Sequence, residues 1–273
     1  MLTSLCSRDI TIKDVNDNPG MPWDWAEVSN IASMNDILKY PKLNWIWSKI
    51  SRSPMINLND IISHPELPWD WGFVSLNPGI ILDDIFAHPE LPWDWRCVSA
   101  NPNITLRVIL DHPDLDWDWK GISYNPSITL EDVLYHPELD WDWKYISLKP
   151  STTITDILEH PEIDWDWIAI SYNPCTTIDK ILEYLEMPWD WSNVSKNPSI
   201  TVRNILEYPD LPWDWEYASL KKDIIIIDIL EHPEMPWDWS NLSFNPSITI
   251  DEMIKYPDLP WDWRRACISK RVA

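Results

Sequence analysis

Residues 91–114 read LPWDWRCVSANPNITLRVILDHPD, and the phrase begins again at residue 115 with Leu-Asp-Trp-Asp-Trp. The first Trp of such a WxW triplet falls at Trp23, Trp45, Trp69, Trp93, Trp117, Trp141, Trp165, Trp189, Trp213, Trp237 and Trp261. The first interval is 22 residues and the others are 24. A fixed period of this length marks a tandem array of one supersecondary unit. The triplets hold all 22 Trp of the chain, so Trp is a scaffold residue placed by the repeat.

Each unit has two segments bounded by Pro, and neither is long enough for more than two helical turns. In the second segment Thr105, Thr129, Thr153, Thr177, Thr201 and Thr249 share one position, with Ser33 and Asn57 as substitutes. Such side chains accept from the free N–H groups of a starting helix. Apolar residues follow at spacings of three and four, as in Leu130, Val133 and Leu134, which makes one apolar face. Pro113, Pro137 and Pro161 then stop the helix, lacking an N–H and restricting the residue before them.

The first segment is predicted as a helix from Pro92 to about Ser99 and its equivalents. Pro22, Pro68, Pro92, Pro188, Pro212, Pro236 and Pro260, replaced by Asp116, Asp140 and Asp164, suit the first helical turn. The middle Asp of the triplet, absent only at Ile46, is expected in that turn as a cap. The Asn-Pro pairs that follow, such as Asn77-Pro78, Asn125-Pro126 and Asn197-Pro198, read as tight turns.

The predicted fold is all-α, an α-solenoid of stacked short helix pairs, because a two-turn helix cannot keep an apolar face without neighbours covering it. No linker or compositional break divides the chain. One domain over 1–273 is therefore expected, with a lone N-terminal half-unit at about 10–20, ten complete units over about 21–258 and a C-terminal half-unit at 259–273. The half-units would cap the array, the last followed by Ser269, Lys270 and Arg271.

Net charge is -23, a field that repels nucleic-acid phosphates and anionic lipid, so neither direct nucleic-acid binding nor a membrane partner is expected. The most apolar run, Ile224 to Ile227, is far too short to cross a bilayer. Cys6, Cys97, Cys175 and Cys267 lack paired or metal-like spacing, and the start MLTSLCSRDI lacks the basic and apolar parts of an export signal; a reducing intracellular compartment is favoured.

Several features invite a chemical reading. His64, His88, His112, His136, His160 and His232 share a position also held by Tyr40, Tyr184, Tyr208 and Tyr256, which fits a packed ring at a helix end. A zinc site would need converging ligands, and side chains one unit apart do not converge. The Asp ladder lacks the unequal environments that acid–base catalysis requires, and capping accounts for it better. The line of Glu66, Glu90, Asp114, Glu138, Glu162, Asp210, Glu234 and Asp258 reads as a solvated edge in preference to an acidic surface for a basic partner. For the tryptophans, packing between thin helices is favoured over base stacking or an aromatic cage, because the surroundings are acidic. No catalytic residue, metal ligand or cofactor site is assigned.

Recognition in a repeat array belongs where units differ. The residues after each triplet, and the residue after the recurring Ser, vary; the candidate binding residues are Phe73, Leu76, Tyr124, Tyr145, Leu148, Tyr172, Tyr217, Leu220 and Phe244. The pattern breaks twice more. Leu220-Lys221-Lys222-Asp223-Ile224-Ile225 replaces the stretch around Asn-Pro, and Leu185 replaces the helix-stopping Pro. These mark bends, contact points or tolerated decay.

The repeat resembles the PWDW-rich short-repeat proteins of giant DNA viruses of the mimivirus type. The resemblance spans about Thr11 to Trp263 and is carried by LPWDW at Leu91 to Trp95 and NPSIT at Asn197 to Thr201. It implies an origin in a virus replicating in host cytoplasm, with localisation there or in a viral factory, and a role at protein interfaces. The expected function is a non-enzymatic scaffold for protein–protein interaction, with a host factor as a candidate partner. The alternatives are a self-associating component of a virion or viral factory, and an acidic decoy for a nucleic-acid-binding protein.

Overall fold

A computed structural model describes residues 10–269, with side chains as far as 266. The N-terminal stretch through Asp9 with Cys6, the side chain of Cys267, and Lys270-Arg271 lie outside the described residues. Every regular element among the described residues is a short helix, of four to seven residues, and there is no strand. Helices of two types alternate, giving a solenoid of helix pairs with the 22–24-residue period. The chain forms two compact units that divide between Asp142 and Trp143, inside a WDW triplet.

The second-type helices start as expected. Thr11, Ser33, Asn57, Thr129, Thr153, Thr201 and Thr249 each accept from the backbone N–H three residues on, whose own side chain returns a bond to the cap backbone, a complete capping box. Thr105 accepts the same N–H, whereas Thr177 makes no side-chain cap bond. The first of these helices ends on Asn18 and the others on His or Tyr, as in His64 with φ -132° and ψ 59°, followed by Pro or, once, Leu185. Even at Leu185 the turn survives, with Met187 N–H donating to the Tyr184 carbonyl. No described residue has positive φ. Termination by Pro-type turns thus explains how the array manages with four Gly.

The first-type helices begin later than expected. They start at the second Trp of the triplet, as in Trp95–Ser99, with the middle Asp as N-cap; Asp94 accepts from the Arg96 and Cys97 N–H groups. Pro22, Pro68, Pro92, Pro188, Pro212, Pro236 and Pro260, and Asp116, Asp140 and Asp164, are therefore outside the helix. The reason is that Pro-Trp-Asp is already committed. Trp93 N–H donates to the Leu91 carbonyl at 2.8 Å, and Asp94 N–H to the Ser75 hydroxyl of the preceding turn at 3.0 Å, bonds a helix begun at Pro92 would forfeit.

Three ladders join successive turns. The recurring Ser accepts a backbone N–H from 17 or 19 residues ahead, as Ser29 does from Ile46, Ser51 from Asp70, Ser171 from Asp190 and Ser219 from Asp238. The Asn of Asn-Pro is fully buried and reaches back: Asn77 Nδ2 donates to the Ser51, Ser53 and Ile56 carbonyls, and Asn197 Nδ2 to those of Ser171, Asn173 and Thr176. The second Trp of one turn meets the first Trp of the next edge to face, from Trp47 with Trp69 at 5.3 Å to Trp239 with Trp261 at 5.2 Å. Such ring pairs contribute about 0.5–1.5 kcal/mol beyond their buried area. The first Trp also donates its indole N–H to the carbonyl closing the preceding helix, as Trp93 does to His88 at 2.8 Å.

Between the ladders runs an aliphatic core. In the N-terminal unit Ile50, Val74, Val98 and Ile122 are fully buried, alongside Ile56, Ile80, Ile104 and Ile128. In the C-terminal unit Val202, Ile224, Ile229, Leu242, Ile248 and Met253 form one cluster with Trp237 and Trp261. Where Thr152 and Thr176 replace the usual Ile, their hydroxyls donate to the Ile146 and Ile170 carbonyls, so the substitution leaves no unpaired polar group.

Losing the Asn side chain should hurt more than losing a cap. Asn77→Ala strands buried carbonyls at roughly 1–3 kcal/mol for each group left unpaired. Thr129→Ala removes one cap, worth about 1 kcal/mol. Urea unfolding should show the larger fall for Asn77→Ala, and equal effects would contradict the ladder's weight. Gly121 tests the close stacking separately: an added Cβ would stand 2.6 Å from the Arg96 carbonyl oxygen, whereas at Gly20 it meets nothing within 4 Å. Gly121→Ala should destabilise by about 1–3 kcal/mol, as overpacking does, and Gly20→Ala far less.

Candidate functional site

Residues of the variable strip occupy two positions on the first-type helices, two and five residues beyond the second Trp. Phe73, Tyr145 and Tyr217, at the nearer position, are half-buried, as are Leu76 and Leu148 at the farther one. Tyr124, Tyr172, Leu220 and Phe244 are 65%, 43%, 37% and 46% exposed. The two positions meet across a turn. Lys196 at the farther position lays its ammonium 3.8 Å from the centroid of the Tyr217 ring at the nearer position of the next helix.

Three candidate residues, Tyr172, Tyr217 and Leu220, are brought together in a groove of about 570 Å3 in the C-terminal unit. Pro198, Lys196, Lys221, Lys222 and Asp223 complete its main lining. Phe73, Leu76, Tyr124, Tyr145, Leu148 and Phe244 do not line this groove.

The groove sits where the repeat is broken. Lys221 takes the place of the ladder Asn and donates its ammonium to the Asn197 carbonyl at 2.8 Å, keeping one ladder bond with a longer side chain. Lys222 takes the place of Pro and is exposed. Asp223 stands where Ser199 occurs one turn earlier. It cannot donate as that hydroxyl does, and instead accepts from Val202 N–H at 2.8 Å, the first free N–H of helix Val202–Glu207. Burial pushes the Lys221 ammonium down from 10.5 to about 8, against the raising influence of Asp223. The three lysines were missed in the sequence reading, which singled out the irregular stretch but placed no charge in a site. The available signal was Lys-Lys replacing Asn-Pro in a chain of net charge -23.

The other chemically suggestive groups are engaged locally. His64, His88, His136, His160 and His232 close helices and point Nδ1 at the Glu two residues on, at 3.1–3.6 Å. Glu90, Glu138 and Glu162 are held below the ordinary carboxylate range by their own backbone N–H and then by His. Cys97 is pushed up to about 11, first by burial and then by Asp94, which keeps it a thiol. Among the described residues no three His, Cys, Asp or Glu gather as a metal site, and no helix is long and apolar enough to cross a membrane. A second groove, about 520 Å3, lies in the N-terminal unit beside Ile62, Leu67, Trp69, Trp71, His88 and Leu91. It is built from regular repeat positions.

No protein-family model, curated protein or solved structure matches the chain.

The depressed Lys221 gives a pH test. The folded chain binds this proton less tightly than the unfolded chain, so the residue's contribution to stability rises with pH between about 8 and 10.5. The stability of Lys221→Met minus that of the wild type should therefore fall between about pH 7 and about pH 9.5, measured by urea unfolding. A difference that stays constant would show that the ammonium is not desolvated.

Proposed function

We propose that this chain is a non-catalytic repeat scaffold that binds a protein partner through the variable side chains of its first-type helices. One observation carries the reading. Residues fixed by the repeat are spent on caps, ladders and Trp pairs, while the side chains left to vary include exposed aromatic and aliphatic groups, two of which, Tyr172 and Leu220, share one open groove with the half-buried Tyr217. Rigid scaffolds that present such anchors on a regular frame are suited to partner-specific contact. On the resemblance of its repeat to giant-virus proteins, the partner is a host factor met in the cytoplasm or at a viral factory.

The pure protein should scatter light as a single chain across a wide concentration range. Affinity capture from host-cell lysate should recover one stoichiometric foreign protein, whose retention falls about tenfold, the equivalent of 1.4 kcal/mol, in Tyr172→Ala combined with Leu220→Ala. A mass that grows with concentration, with no foreign protein retained, would replace this reading with that of a self-assembling component.

A further inference from the structure

We infer that the groove at Tyr172, Lys196 and Leu220 is a docking site for an extended peptide segment with carboxylates at its centre and an apolar side chain toward each end. The inference rests on the scaffold reading above and deepens it by naming what the partner offers.

The first ground is register. Tyr172, Lys196 and Leu220 are 24 residues apart and hold one repeat position in three successive turns. Tyr172 and Lys196 are the last residues of their first-type helices, and Leu220 follows Ser219, the C-cap of the third. They therefore form a row along the stacking direction, with a cation between two apolar groups. Packed helices advance by about 10 Å. The row then spans roughly 20 Å, about six residues of extended chain at roughly 3.3 Å each.

The second ground is charge. The chain carries 44 acidic against 21 Lys and Arg side chains, yet this groove is lined by Lys196, Lys221 and Lys222 with Asp223 as the one acid among its lining residues. Asp223 is turned to the start of helix Val202–Glu207. Lys196 rests on Tyr217, and Lys221 is held by the Asn197 carbonyl, so both ammonium groups are positioned in advance. Lys222 extends the cationic strip from the place that Pro198 holds one turn earlier. The carbonyls of Ser171 and Ser219 at the helix ends are taken by Asn197 and Asn245, which removes acceptors that would oppose a carboxylate. A basic segment finds apolar contact here and one carboxylate, Asp223, against three ammonium groups, whereas an acidic one meets complementary charge at the centre of the row.

The third ground is the broken repeat itself. Lys149 also holds the ladder position but keeps its Pro, whereas Lys221, which desolvates part of an amine at a cost that Asn avoids, is followed by Lys222, which gives up a turn-forming Pro. Both departures add positive charge to the same groove.

The test uses the full chain and three fluorescein-labelled, amidated decapeptides with Leu near either end, identical except that the four central residues are Glu, Gln or Lys. Fluorescence anisotropy should show saturable binding of the Glu peptide, weakening as salt is raised. The Gln peptide should bind about tenfold more weakly or worse. Lys222→Glu, an exposed change, and Lys196→Gln should each weaken the Glu peptide about tenfold, while Lys255→Glu, on the second-type helix Ile250–Lys255 and outside the groove lining, leaves it unchanged. Circular dichroism of each variant reports whether the repeat is intact, and the pair of lysine variants keeps the test valid if one misfolds. Equal binding of the Gln peptide, tighter binding of the Lys peptide, or indifference to Lys222→Glu overturns the inference. Failure of all three peptides overturns it too, and leaves the scaffold reading to its own capture and mass measurements. Concentration-dependent mass abolished by Lys222→Glu would instead make the occupant an acidic edge of a second copy.

Discussion

A buried asparagine amide tying one turn to the carbonyls of the turn before it is the contact on which the rest of this architecture depends. Helices of four to seven residues cannot satisfy most of their own backbone groups, because each end leaves several N–H or C=O groups without an intrahelical partner. Stacking such helices would bury those groups unpaired. The Asn at the closing turn resolves this by placing one NH2 against two or three carbonyls at once, as Asn77 does, while its own Oδ1 accepts from Gly79 N–H at 2.7 Å. The recurring Ser does the same for an amide of the following turn, and its hydroxyl donates back to the second Trp of its own helix, as Ser195 does to Trp191.

With the polar account closed in this way, the aliphatic side chains can be brought together without strain and the tryptophans can bridge the turns. The first indole of each triplet has a fixed hydrogen-bond partner, and from Trp69 to Trp261 it also has a fixed ring neighbour in the turn before, so its large area adds rigidity as well as burial. The site follows from the same constraint. A regular ladder leaves no room for chemistry at its own positions, so a distinctive surface arises where a ladder residue is replaced. Lys149 and Lys221 both replace the ladder Asn, and at Lys221 the neighbours change as well: its side chain preserves one bond to Asn197 and half-buries a cation, while Lys222 and Asp223 recast the local charge.

Much of the scaffold was legible because its signals are local. Thr129 before Leu130, Pro137 after His136 and the apolar spacing between them define a capped two-turn helix with no reference to the rest of the chain. The Asp of the triplet as a cap was legible for the same reason. The start of the first-type helix was not, since Pro92 is chemically suited to open a helix and only the bond from Asp94 N–H to Ser75 of the preceding turn holds Pro-Trp-Asp extended. Nor was the groove legible as a site. Tyr172, Tyr217 and Leu220 stood out as variable, but Lys221 and Lys222 stood only within a break of the motif that read equally as a bend, a contact point or decay, and Lys196 was not singled out.

The sequence alone determined the period, the two-helix unit, the helix stops and the absence of strands from the plan, because these rest on interactions within a few residues. Only the tertiary structure decided which residues join the turns and which remain open to a partner. The bonds that do so link positions 17 to 26 residues apart, and in a repeat every unit offers the same residue at the same place. The pattern shows that Asn77, Asn101 and Asn197 matter without showing what they touch; stacking one turn on the next supplies the partner.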